Sequence, residues 1–112
     1  MLRLRLDKPW QPLSAEVVAR LPGQLGVYQI ADAKGAVLYI GQAGARSPFG
    51  LRSELQREAS ERGTGCQFRV EVNQQYRSRW FELLMVHKAD HGSLPPDNEK
   101  NPPPNLGRFS PS

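Results

Sequence analysis

The chain has 112 residues, which suits one small domain, and a formal net charge of +4, compatible with an anionic partner, most simply nucleic acid. Its single cysteine, Cys66, excludes an internal disulfide and fits a reducing, cytoplasmic compartment. No apolar run approaches the roughly 18 residues that a membrane helix needs, and the arginines between Leu2, Leu4 and Leu6 interrupt any signal-peptide core.

Leu2, Leu4 and Leu6 alternate with Arg3, Arg5 and Asp7, a period of two that predicts a short strand. Pro9 and Pro12 break the chain around Trp10. Ser14 is placed to cap a short helix over 15–21, with Val17, Val18 and Leu21 as its apolar side, and Pro22-Gly23 ends it. Residues 26–41 then read as a β-hairpin, with Gly26-Val27-Tyr28-Gln29-Ile30 and Val37-Leu38-Tyr39-Ile40-Gly41 as its arms. A two-residue loop at Lys34-Gly35 sets Ile30 opposite Tyr39 and Tyr28 opposite Gly41. Both tyrosines then share one face as diagonal neighbours. Gly26 and Gly41 would leave bare backbone beside them, the floor of a binding site. The alternative is ordinary packing of tyrosine in a strand.

The loop 42–50 is small-residued and lies between a strand and a helix, where its N–H groups can face a phosphate. It lacks the Gly-Lys-Ser/Thr ending of a nucleoside-triphosphate loop. A helix over 51–62 carries Leu51, Leu55 and Ala59 as its stripe, with Arg52 at the stripe's edge and Glu58–Arg62 as a surface pair. Cys66 to Val72 alternates as a strand that buries Cys66 as a small core residue. The next helix, 77–90, is apolar over most of its circumference, which predicts extensive burial. Glu82 lies within it, and a buried carboxylate is costly unless paired or bound to a cation. Its two candidate partners are Arg79, three residues back, and a metal. Gly92 is a helix stop. His87 and His91 have a metal-ligand spacing, but no cysteine or third histidine completes a set. The segment from Leu94 is rich in Pro, Asn and Ser, and its far end, 99–112, reads as a flexible tail.

Taken in order, Gly26-Val27-Tyr28, ten residues, Tyr39-Ile40-Gly41, a helix beginning near an arginine, a strand, a helix with a glutamate and then prolines with an asparagine resemble the GIY-YIG endonuclease superfamily. The likeness covers about 25–98. It implies an α+β fold, a small three-stranded or four-stranded, mainly antiparallel sheet flanked by helices, in one nuclease domain spanning 1–98. It also implies a phosphodiester hydrolase using one divalent metal, Mg²⁺ or Mn²⁺. On this resemblance Tyr28 and Tyr39 match the motif tyrosines, Arg52 the phosphate-contacting arginine and Glu82 the metal-binding glutamate. Asn98 matches the terminal asparagine, with Asn101 and Asn105 as competing alignments. The chain has no histidine between Arg52 and Val72, where many members carry one, which shifts general-base chemistry onto the tyrosines.

Phosphodiester hydrolysis needs charge stabilisation, an activated water and help for the departing oxygen. A Mg²⁺ on Glu82 fits the first, and an Arg52 fork fits the phosphate. Tyr28 serves as base only if metal or cations favour its phenolate, with Tyr39 positioning water or phosphate. Gly41, Gln42, Arg46, Arg77 and Arg79 are the expected nucleic-acid contacts, with Arg3, Arg5 and Arg69 as further candidates, and DNA ranks ahead of RNA. The competing reading is a nucleic-acid-binding or protein-interaction module on the same fold, without cleavage. A homodimer or a partner chain would supply the specificity that so short a chain has little room to hold.

Overall fold

The computed structural model describes residues 5–100, with elements in the order β1 (Gln11–Pro12), α1 (Ala15–Val18), β2 (Gly26–Ala31), β3 (Val37–Ala43), α2 (Gly50–Arg62), β4 (Gln67–Val72), α3 (Tyr76–His91) and α4 (Pro96–Lys100). The strands form one sheet in the order β1-β4-β2-β3, and every pairing is antiparallel. This is the expected α+β class, with the two-residue β1 making the fourth strand.

The hairpin forms in the expected register, Tyr28 opposite Gly41 and Ile30 opposite Tyr39. Its loop differs from the two-residue turn. The register shifts after Ile30, so that Ala31 faces Val37. Asp32 closes the longer connection: its carboxylate accepts from the N–H groups of Lys34 at 2.9 Å and Ala36 at 3.0 Å. An aspartate that bonds the backbone ahead of it supplies its own turn, and Gly35, at φ +90°, takes the left-handed position.

β2 is central, and all of its residues are buried, because helices cover both faces of the sheet. Alternation along the strands sorts the core into two layers. Tyr28, Ile30, Ala43 and Phe68 pack with Val18, Leu21, Leu51 and Leu55 on the α1/α2 face. Val27 and Ile40 pack with Leu6, Leu83, Leu84 and Leu94 on the α3 face.

Several expected elements take a different form. The predicted N-terminal strand lies partly outside the described residues, which exclude Leu2, Arg3 and Leu4. Its remainder forms no strand: Leu6 is buried, and Arg5 pairs with Asp90 at 2.7 Å. The fourth strand is instead Gln11–Pro12, where a proline is tolerated because it lies on an edge. Ser14 caps α1, accepting from the Val17 N–H, but the helix tightens after Val18. The N–H groups of Arg20 and Leu21 then bond three residues back. Helix α3 is less buried than its composition implies. Only Arg79, Leu83 and Leu84 are buried, and Met85 is 45% exposed, because the helix rests on the sheet along one narrow face. Gly92 ends it in the left-handed conformation at φ +84°.

β3 is an edge strand, and an uncovered edge leaves backbone groups unpaired. Helix α4 closes it at one residue. The Asn98 side chain accepts from the Ile40 N–H at 2.8 Å and donates to the Ile40 carbonyl at 3.0 Å. The Trp80 indole donates to the same carbonyl at 2.9 Å. A side-chain amide thus replaces the missing neighbour strand. Asn98→Ala is expected to lower unfolding stability by about 2–3 kcal/mol, from two lost hydrogen bonds and a stranded Ile40 N–H. Urea denaturation checks this, and a change below about 0.5 kcal/mol would show that α4 is not anchored there.

Candidate functional site

The Tyr28 and Tyr39 rings lie 6.0 Å apart at a tilt of 52°, on the face that α2 covers. Beside them, Gly41 is not bare backbone offered to a ligand. A Cβ there would overlap the ring and hydroxyl of Tyr28, so Gly41 is the seat of that ring. Gly26 is similarly committed: a Cβ would overlap the Glu71 carbonyl and approach Leu51 Cδ1 at 3.0 Å. Gly41, expected to contact nucleic acid, thus has a packing role in the fold.

The Tyr28 hydroxyl donates to Glu58 Oε2 at 2.9 Å. Glu58 comes from α2, and its side chain is only 4% exposed. Its other oxygen accepts from Arg62 Nε at 2.7 Å, and Arg57 Nη2 stands 3.7 Å from Oε2. Arg62 also reaches Asp97 of α4 at 2.8 Å and lies over the Tyr39 ring, 5.8 Å from its centre. Arg57 pairs with Glu54 at 2.7 Å and Glu61 at 3.3 Å. The result is one continuous network, Asp97–Arg62–Glu58–Tyr28, with Tyr39 under its guanidinium. The Glu58–Arg62 pair forms as expected, but not as surface decoration. The signal was present: positions 51, 55, 58 and 62 share one helical face, so a residue at 58 must point where Leu51 and Leu55 point.

This environment opposes the phenolate. Burial first, and then the neighbouring Glu58 carboxylate, push the Tyr28 hydroxyl well above its ordinary value of 10.0. Burial and Glu58 also raise Tyr39, while Arg57 and Arg62 pull it back. The Tyr28 hydroxyl is accordingly a proton donor to Glu58 in this arrangement.

Glu82 is not in this network. Its side chain is 45% exposed and paired with Arg79, the partner that the spacing offered. Arg79 is buried and also donates to Glu71 at 2.9 and 3.1 Å. Burial acts to raise the Glu71 carboxyl, but the hydrogen bonds from Arg79 and Asn73 outweigh it, and the net shift is downward. Glu71 stands opposite Val27 in the sheet, on the α3 face, so the sheet separates Glu82 from the tyrosines. Glu82 shares the Arg79 guanidinium with Glu71, and no group of three potential metal ligands gathers among the described residues. Arg79, expected to contact phosphate, is occupied by these two carboxylates.

Arg52 is half-buried, with its guanidinium 5.1 Å from the Phe49 ring centre, on the flank of α2 away from Glu54 and Glu58. It is not brought to the tyrosines. Both polar ends of the Asn98 side chain are used by Ile40, and Asn101 and Asn105 lie outside the described residues. Gln42 is half-buried on β3, whereas Arg46 and Arg77 are exposed.

A protein family matches residues 4–90, described as Domain of unknown function (DUF7508). The chain belongs to this family. The matched span contains both tyrosines, Glu58 and Glu82, and ends before Asn98. No curated protein and no solved structure matches the chain. Among the described residues, no helix is long and apolar enough to cross a membrane.

Two outcomes test the network. Gly41→Ala is expected to destabilise by about 1–3 kcal/mol through forced displacement of Tyr28, measured by thermal or urea unfolding. The raised Tyr28 hydroxyl has a definite sign in pH. Its contribution is fully present below the unfolded value near 10.0 and is lost as pH rises through the folded value. Stability should therefore fall between the unfolded value near 10.0 and the raised folded value, by up to about 1.4 kcal/mol per pH unit for each such tyrosine. Tyr28→Phe should make the slope shallower, and an unchanged slope would remove Tyr28 as its source.

Proposed function

We propose that this protein is a GIY-YIG-type domain that acts on nucleic acid by binding it, not by metal-dependent cleavage at Glu82. The observation that carries the reading is the hairpin itself. Tyr28 and Tyr39 share one face in the register that the paired motif requires, with Gly41 seating the first ring. The clamp of Asn98 on the second motif's Ile40 adds a further element of the resemblance. The net charge of +4 fits a polyanionic partner, with DNA ahead of RNA, and the lone Cys66 fits the cytoplasm. Binding is favoured over cleavage because the acid and arginine of the resemblance, Glu82 and Arg52, do not join the tyrosines.

A second reading, an endonuclease hydrolysing phosphodiester bonds, has one observation in its favour. Glu58, Tyr28, Tyr39, Arg57 and Arg62 gather a carboxylate, two phenols and two guanidiniums in one place. In that arrangement Arg57 and Arg62 would contact phosphate, and Glu58 would take the proton of the attacking water while Tyr28, still protonated, orients the carboxylate.

Binding and cleavage are separated by incubating the full chain with labelled duplex, single-stranded and branched DNA and with RNA. Mg²⁺, Mn²⁺ or EDTA is added, using wild type, Glu58→Gln and Glu82→Gln. The expected result is salt-sensitive binding with intact substrate throughout. Cutting lost in Glu58→Gln but retained in Glu82→Gln would establish the second reading. Metal-dependent cutting lost in Glu82→Gln would overturn the assignment of Glu82 to Arg79. Absence of both binding and cutting would sink both readings.

A further inference from the structure

We propose that the nucleic acid this protein takes is single-stranded, and that it lies across the end of the sheet where α2 and α3 begin. Its phosphates rest on Arg46, Arg52 and Arg77, and a base stacks on Phe49. This rests on the reading above that the partner is nucleic acid.

The sheet register defines the place. Gly26 pairs with both Ala43 and Val72, so the start of β2 and the ends of β3 and β4 lie at one end of the sheet. The connections leaving that end are the loop 44–49, which leads into α2, and residues 73–75, which lead into α3. They touch: a Cβ at Gly44 would stand 2.9 Å from the Tyr76 ring. Arg46, Phe49, Arg52, Tyr76 and Arg77 therefore belong to one end of the molecule, opposite the hairpin tip at Lys34.

Several arginines of the fold are committed to acids, and those at this end are not. Arg5, Arg57, Arg62 and Arg79 are all paired with carboxylates. Arg46, Arg52 and Arg77 have no carboxylate partner among the described residues, and neither helix places an acid in its first turn. An open pocket of about 420 Å³ at the start of α3 is lined by Gln74, Gln75, Tyr76, Arg77 and Ser78, with no acid. Guanidiniums without a carboxylate partner are complementary to phosphate, and the acid that reaches the 44–49 loop, Glu54, is already paired with Arg57.

Phe49 selects the strand state. The residue is 57% exposed, and the Arg52 guanidinium sits at 5.1 Å from its ring centre. A phenylalanine left in water beside an unpaired arginine offers a π-face and a phosphate contact side by side. Bases within a duplex are already stacked on one another and cannot occupy such a ring, whereas an unpaired base can.

The test is fluorescence anisotropy of the full chain with a labelled 12-nucleotide oligothymidine and a duplex of equal length, over a salt series. Wild type should bind the single strand more tightly, with log affinity falling against log salt at a slope of about −2 for three phosphates. Phe49→Ala should weaken single-strand binding about tenfold and leave the duplex unchanged, while Phe49→Trp retains it. Combined Arg46→Ala, Arg52→Ala and Arg77→Ala should abolish most of the slope, and Lys34→Ala should not. Circular dichroism confirms that each variant is folded. Equal or tighter duplex binding, or wild-type affinity in folded Phe49→Ala, overturns the single-strand inference and leaves nucleic-acid binding standing. No binding to either probe overturns both.

Discussion

The Tyr28 side chain is the constraint on which the rest of the structure depends. Its ring needs the space above Gly41, which fixes the hairpin register, and its hydroxyl must have a partner because it is buried. That partner is Glu58, a buried carboxylate whose charge must itself be matched. Arg62 matches it and in turn binds Asp97. One phenol thereby sets the register of two strands, the rotation of α2 and the position of α4. The glycine is required on steric grounds, and the acid and arginine follow from keeping a polar group out of water.

The sheet divides the chemistry into two compartments. On the α1/α2 face lie both tyrosines and Glu58, bracketed by Arg57 and Arg62. On the α3 face lies a second ionic cluster, Glu71–Arg79–Glu82, built around a buried guanidinium. Glu58 is paired with Arg62 and stands near Arg57, whereas on the other face one guanidinium, Arg79, is shared by two carboxylates, which leaves that cluster with one excess negative charge. Reaching Glu82 and the tyrosines together would require crossing the sheet.

Much of this was legible in the sequence because it follows from local rules. Alternation and β-branched residues locate β2, β3 and β4, and the pairing of Tyr28 with Gly41 follows from the period of two. Ser14 and Gly92 mark helix ends through side-chain capping and left-handed backbone. What was not legible depends on tertiary context. A two-residue β1 carries too few residues to show a period, and its existence depends on the β4 edge it joins. α4 is too short to announce itself by propensity, and it is held by Asn98 on Ile40, a contact far apart in sequence. Glu82 was misjudged because apolar neighbours suggested burial, whereas α3 rests on one narrow face and turns Glu82 outward. Glu58 was misjudged in the opposite direction, because i,i+4 pairs of this kind usually lie in water, and its position below Leu51 and Leu55 was the stronger signal.

The motif residues prove hard to separate from the fold. Gly26 and Gly41 are sterically required, Tyr28 is a core ring, and Asn98 serves as a substitute strand. Residues that the fold needs would be present whether or not the chain performed any chemistry, so their presence speaks to architecture before activity. Function is better sought in side chains that the fold does not use. An exposed Phe49 adds nothing to the core, and Arg46, Arg52 and Arg77 have no carboxylate partner among the described residues, Arg52 meeting only the Phe49 ring. Arg46, Arg52, Arg77 and Phe49 meet that description at one end of the sheet, and a ligand that stacks and carries phosphate would give each of them a partner.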